Sequence, residues 1–246
     1  VALARARRFD RERRTAALLT QALLPADVQP IDGYGAAARY LPAGSHVAGD
    51  WFDLTHLPSD RYLVGIGDAA GHGIRAASLM AQLRNAARGL AVGGNPPSEI
   101  LHGLGLLAVE DDPESFATAI YGVLEPASGD LLWASAGHIP PLLCEPGKAA
   151  YLESDNGTPL GWPTIRKPED RVTRLRPGDT VVLVTDGVLE RRDADLGERL
   201  EQLRDLLGDS CELDARTVAD RIVRDLCVEP EDDCCVVVLQ RLPEAG

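Results

Sequence analysis

The chain has 246 residues, 45% of them hydrophobic and only 4% aromatic, so it can bury a sizeable core built mostly of Leu, Val, Ile and Ala. Asp and Glu (38) outnumber Lys and Arg (25), giving a formal net charge of −13. That excess, with the one basic run confined to residues 5–14, argues against a nucleic-acid partner, and no apolar run is long enough to be a membrane span.

No signal peptide and no low-complexity linker divides the chain, so one domain is expected over 25–246, preceded by a connector or regulatory helix over 1–24. The first residue is Val1 rather than Met, which suggests a piece of a longer protein. Five cysteines, an odd number without CxxC or Cys/His zinc spacing, point to reduced thiols in a cytoplasmic protein.

The helix over 1–24 is rich in Ala, Arg and Leu and ends near Pro25. Its first half is polar on nearly every side, while Ala16, Leu19 and Leu23 give the second half a face to pack. Strands are expected over 33–41 and 47–54, and 61–67 pairs with the second of these across the turn 58–60. The turn Gly67-Asp68-Ala69-Ala70-Gly71-His72-Gly73 follows. After it comes a helix over 74–90, with Ala76, Met80, Leu83, Ala87 and Leu90 on one face. Ser98 can cap the next helix, whose apolar positions are Ile100, Leu101, Leu104, Leu107 and Ala108. Strands over 116–124, 131–135 and 141–144 read as an antiparallel meander. Strands over 172–175 and 180–185, helices over 196–207 and 217–227 (the latter started by Asp214) and a last strand over 234–240 complete the pattern. Hairpins interrupted by helix pairs make an α+β fold of two packed sheets flanked by helices.

Acids recur at strand ends. Asp50 follows Gly49 at a strand start, Asp68 ends an apolar strand, Asp186 ends another and precedes Gly187, and Asp232-Asp233 opens the last strand. Each alone reads more readily as a turn residue. Together they could converge in space, where buried carboxylates repel unless a divalent cation neutralises them, and their hard oxygens suit Mg²⁺ or Mn²⁺. Asp53 reads as a supporting acid or a polar strand-end residue.

The ordered motifs Gly49-Asp50-Trp51-Phe52-Asp53, Gly67 to Gly73, Ala136-Gly137-His138-Ile139-Pro140-Pro141, Thr185-Asp186-Gly187-Val188-Leu189-Glu190 and Asp232-Asp233 resemble those of the PPM-type (type 2C) metal-dependent Ser/Thr phosphatases, in particular their bacterial SpoIIE/RsbU branch. The resemblance implies two central antiparallel β-sheets sandwiched between pairs of α-helices. It implies two Mn²⁺ or Mg²⁺ ions held by Asp50, Asp68 (bridging), the Ala69 carbonyl, Asp186 and Asp232. Asp233 would support them, and Gly71, Gly73 and Gly187 would be turn glycines. It further implies hydrolysis of phosphoserine or phosphothreonine on a phosphorylated anti-anti-sigma-type regulator in partner-switching signalling, with a sensory domain upstream. The polar helix over 1–24 is expected to transmit a signal or to form a homodimer. Ala48 and the pair Cys234-Cys235 depart from the usual pattern without removing an acid.

A metal-activated water attacking phosphorus needs no Ser or Cys nucleophile, and the sequence offers neither a Gly-x-Ser-x-Gly elbow nor a Cys-x5-Arg loop. His72 is a candidate proton donor to the leaving group, with a bridging water as its rival and a structural turn histidine as the plainer reading. His138 reads as a histidine bonded within a strand turn, His46 or Arg39 as contacts to the phosphate, and Glu190 as a brace for the turn after Asp186. The alternative for the whole chain is a degraded phosphatase acting as a regulatory binding module.

Overall fold

The computed structural model describes residues 28–43, 49–71, 73–111, 115–191, 194–228 and 230–243. The helix expected over 1–24 therefore lies outside the described residues. The strands are β1 (Tyr34–Leu41), β2 (Trp51–Leu57), β3 (Arg61–Ala69), β4 (Ala117–Glu125), β5 (Asp130–Ala136), β6 (Leu142–Glu145), β7 (Lys148–Tyr151), β8 (Arg171–Arg174), β9 (Thr180–Val184) and β10 (Cys234–Arg241). The helices are α1 (Ile74–Val92), α2 (Pro97–Asp111), α3 (Leu196–Gly208) and α4 (Ala215–Leu226), with a 3₁₀ turn at Asp186–Val188. One sheet runs β2-β3-β4-β5-β8 and the other β1-β10-β9-β6-β7, with every neighbouring pair antiparallel. The expected α+β sandwich is what the chain forms.

Side chains alternate along each strand, and this alternation builds three apolar layers. Phe52, Leu54, Val64, Ile66 and Ile120 face Val181, Leu183, Cys235, Val237 and Leu239 between the sheets. The intervening residues Trp51, Leu63 and Tyr121 pack under α1 and α2 with Met80, Leu83, Ile100 and Leu104. Cys234, Val236 and Val238 pack under α3 and α4 with Leu203, Leu207, Val218 and Ile222. Fully burying a side chain of this size is worth roughly 1.5–3 kcal/mol, so these layers hold the sheets and helices in place.

Several local expectations are corrected. The meander stops after β5, because β6 crosses to the other sheet and pairs with β7 and β9. Pro140 and Pro141, which lack an N–H to donate, stand at that crossing. Ser98 is not the cap of α2. Pro97 already occupies the first helical position, and Asp170, far along the chain, accepts from Ser98 N (2.8 Å) and Ser98 Oγ (2.7 Å). Cys144 on β6 and Cys211 after α3 meet in the helix-facing layer with Cα atoms 6.0 Å apart, close enough to be bridged, while Cys227, Cys234 and Cys235 are free and buried. Asp195 caps α3 through Gly197 N (2.8 Å), and Asp214 starts α4 as expected, accepting from Thr217 N at 3.1 Å.

Candidate metal centre

The alternation that makes the inter-sheet layer also aims the acids. Asp68 lies two places beyond Ile66 on the same face of β3, directly opposite Thr118 of β4. Asp50 immediately precedes β2 and is 3% exposed. From the other sheet, Thr185 just after β9 donates its hydroxyl to Asp50 Oδ2 at 2.6 Å and accepts from Cys235 N at 2.9 Å. One threonine thus ties an acid of one sheet to the backbone of the other. The 3₁₀ turn then places Asp186 beside the same cleft.

Gly187 explains how Asp186 and Asp232 come together. A Cβ there would run into the Asp233 carbonyl and the Asp232 backbone, so only glycine lets the two chain segments approach this closely. Gly71 and Gly73 have φ of 89° and 87°, a backbone that other residues avoid, and Gly73 precedes α1 without any side-chain cap. Asp233 accepts from Ala43 N at 2.7 Å and from the Gly49 backbone, fastening the residue just before Asp50. This geometry suits the supporting role expected of it. Asp232 Oδ1 accepts from Asp233 N at 2.7 Å.

The electrostatics of these acids follow from burial and like charge. Burial first, then the charge of Asp68, holds the Asp50 carboxyl well above the ordinary 3.8. Burial also raises Asp68, helped by the charges of Asp232 and Glu190, and the Asp50 and Asp68 carboxyls are hydrogen-bonded to each other. Asp186 is pushed up to about 7 by burial and by the charges of Asp68, Glu190 and Asp232, and Asp233 to about 6 by burial and its acidic neighbours. Strongly raised carboxyl groups clustered in a cleft are the electrostatic pattern of a cation site. Among the described residues, no three His, Cys, Asp or Glu side chains are gathered tightly enough to enclose an ion. Mg²⁺-like ions keep several waters and need only one or two carboxylates directly, so an open set of hard oxygens suits them. Asp50, Asp68, Asp186, Asp232 and the Ala69 carbonyl, which abuts Gly49, are the groups that would hold them.

Other expected residues stand elsewhere. Asp53, one place out of phase with Asp50, points to the opposite face of its sheet. There it pairs with Arg84 of α1 at 3.0 Å and accepts from Tyr121 Oη at 3.3 Å, so it braces a helix and does not touch the acids. Arg39 is engaged by Asp220 of α4 at 2.6 Å. His72 and His46 lie outside the described residues. The Glu190 backbone closes the turn onto the Asp186 carbonyl at 2.7 Å, and the Glu190 charge acts on both Asp68 and Asp186.

Two supporting residues were missed in the sequence. The first is Thr185. Its alternation with Leu183 places it on the inner face and was available as a signal. The second is Arg199 of α3, whose buried guanidinium donates to Val188 O (2.9 Å), Leu189 O (3.3 Å) and Leu226 O (2.8 Å), clamping the Asp186 turn against α4. An arginine inside a Leu-rich amphipathic helix gave no sequence signal of this. A cleft of about 480 Å³, lined by Leu189, Glu190, Arg191, Ala194, Leu196, Glu231 and Asp232, opens beside the acids.

The family model described as Stage II sporulation protein E (SpoIIE) matches residues 58–242. The chain belongs to the SpoIIE family. Within it, the chain is 27% identical over 241 residues to phosphoserine phosphatase RsbU of Bacillus subtilis (strain 168), covering 92% of this chain and 69% of that protein. It is 24% identical over 156 residues to phosphoserine phosphatase RsbP of the same organism, covering 61% and 39%. The crystal structure of the RsbU and RsbW domains of Rv1364c from Mycobacterium tuberculosis superposes with a TM-score of 0.79 at 30% identity, covering 91% of this chain and 64% of that one. The SiaA-PP2C domain of Pseudomonas aeruginosa shares the fold over 98% of both chains, with a TM-score of 0.79 at 22% identity. This SpoIIE-family chain thus spans about two thirds of RsbU and of the Rv1364c structure and about two fifths of RsbP.

Proposed function

We propose that this phosphatase removes phosphate from phosphoserine or phosphothreonine on a protein, an anti-anti-sigma-type regulator of a bacterial partner-switching pathway. The observation that carries the reading is the convergence of Asp50, Asp68 and Asp186, raised by burial and mutual repulsion, from both sheets onto one cleft. SpoIIE-family membership and the phosphoserine phosphatases among its relatives support it.

Two Mn²⁺ or Mg²⁺ ions bound here would supply charge neutralisation for the phosphoryl group and a nucleophilic water. The chain's own residues do the positioning. Thr185 orients Asp50 by hydrogen bond, and Asp233 fixes the backbone on both sides of residues 44–48. Gly187 sets the distance between the Asp186 and Asp232 segments, and Arg199 stiffens the turn from behind. His72 remains the candidate proton donor to the leaving serine or threonine oxygen. The helix over 1–24 would join an upstream sensory domain or form a homodimer. A cytoplasmic setting is part of this reading; among the described residues no helix is long and apolar enough to cross a membrane.

The test is Mn²⁺-dependent phosphate release from candidate phosphorylated regulators, with p-nitrophenyl phosphate as a general substrate. Asp68→Asn and Asp186→Asn should each abolish turnover while the chain stays folded. Tight Mn²⁺ binding without hydrolysis of any phosphoester would favour the regulatory binding module instead.

A further inference from the structure

The motif Ala136-Gly137-His138-Ile139-Pro140-Pro141 has no part in the chemistry above, yet its histidine is 3% exposed at the place where the chain crosses between sheets. His138 Nδ1 lies 2.7 Å from Thr118 Oγ1, and Nε2 lies 3.1 Å from the Val184 carbonyl. A carbonyl can only accept, so Nε2 carries the hydrogen. Burial holds the imidazole pKa down to about 4, so the ring is neutral, Nδ1 is the acceptor and the Thr118 hydroxyl donates. Both bonds are fixed in direction and both partners are specific.

Their addresses matter. Thr118 is the cross-strand partner of Asp68 in one sheet. Val184 is two residues before Asp186 in the other. The β6–β9 ladder ends at Leu142–Val182, and two places further its register would set Pro140, which has no N–H, opposite Val184. The imidazole supplies a donor at that interruption. Ser135 Oγ, bonded to the His138 carbonyl at 3.3 Å, holds the turn from which the ring projects.

We infer that His138 is a positioning residue of the metal centre: by bridging Thr118 in one sheet to the Val184 carbonyl in the other, it sets the separation between Asp68 and Asp186. The inference rests on the metal-dependent reading above and adds to it a residue that touches neither ion nor substrate. Partners that orient metal ligands in this indirect way typically contribute about 10–100-fold to metal affinity.

The experiment measures Mn²⁺ affinity by calorimetry on the folded chain for four variants. Thr118→Val removes the hydroxyl donor, and His138→Gln keeps a donor near the Nε2 position while losing the Thr118 bond. The double variant tests whether the two act through one contact, and Val123→Ala, in the helix-facing layer far along β4, controls for general destabilisation. Each single bridge variant should weaken Mn²⁺ binding about tenfold. The double variant should be no worse than the singles. KM for p-nitrophenyl phosphate at saturating Mn²⁺ should stay unchanged, and Val123→Ala should lower Tm without altering Mn²⁺ affinity. Wild-type affinity in the bridge variants, additive losses in the double variant, or a Val123→Ala shift as large as theirs would overturn the bridge while leaving the phosphatase reading intact. A wild-type chain that binds no Mn²⁺ would overturn both.

Discussion

At the scale of single residues, the centre depends on one missing side chain as much as on the acids. Gly187 lies against the Asp233 carbonyl so closely that a methyl group cannot be accommodated without moving the backbone. Gly187→Ala should therefore separate Asp186 from Asp232, destabilise the chain by about 1–3 kcal/mol as overpacking does, and lower Mn²⁺-dependent turnover far more than that loss of stability accounts for. Thermal melts beside activity at saturating Mn²⁺ check it, and an active, well-folded Ala variant would show that the segments have room to spare. The acids themselves stood out in the sequence, because each sits at one end of an expected strand, and Asp50, Asp68 and Asp186 each adjoin a glycine. The bonds made by Thr185, His138 and Arg199 did not, because their partners are 135, 46 and 27 positions away and only the folded chain brings them together.

At the scale of secondary-structure elements, β2 shows how one residue of phase separates chemistry from support. Asp50 faces the other sheet, whereas Asp53 is fully buried under α1 with Arg84 at 3.0 Å and Arg88 at 3.9 Å. Burial outweighs those two cations and pushes Asp53 up to about 6, so the pair is an expensive anchor for α1. Asp53→Asn should cost about 3–5 kcal/mol because it leaves Arg84 without its countercharge. Mn²⁺ affinity should be unchanged in whatever fraction stays folded, as calorimetry would read. A weakened metal site at intact stability would return Asp53 to the centre. Periodicity located most helices and strands well, since their apolar stripes are long and regular. It failed where pairing partners, not propensity, decide. The strand over 141–144 looked like a third meander strand, and nothing local reveals that it joins the other sheet or that β7 follows it.

At the scale of the molecule, the centre makes stability depend on pH in a particular sense. Asp186 and Asp233 have folded values of about 7 and 6 against an ordinary 3.8. Their protonated forms are the ones that suit the fold, so their contribution is complete below about pH 4 and is lost as pH rises through 6 to 7. Divalent cations require the ionised forms and reverse that penalty. The Tm difference between Mn²⁺ and chelator should accordingly grow from pH 5 to pH 8, as a paired melting series would show. A difference that stays flat across that range would mean that these acids do not face the ion.

The order of the strands also has a consequence for synthesis. β10, the last strand described, is inserted between the edge strand β1 and the central strand β9, and Asp232 and Asp233 lie just before it. A ribosome that has released everything up to residue 230 has made Asp50, Asp68 and Asp186 but not the strand that pairs with β9 beside Asp186, nor the backbone that seats Gly187. Domains tend to fold from the N-terminal end as they emerge, and here that tendency yields no early enzyme. The cleft is completed only by β10, the last strand described, so a chain interrupted before it should be silent rather than a stray phosphatase.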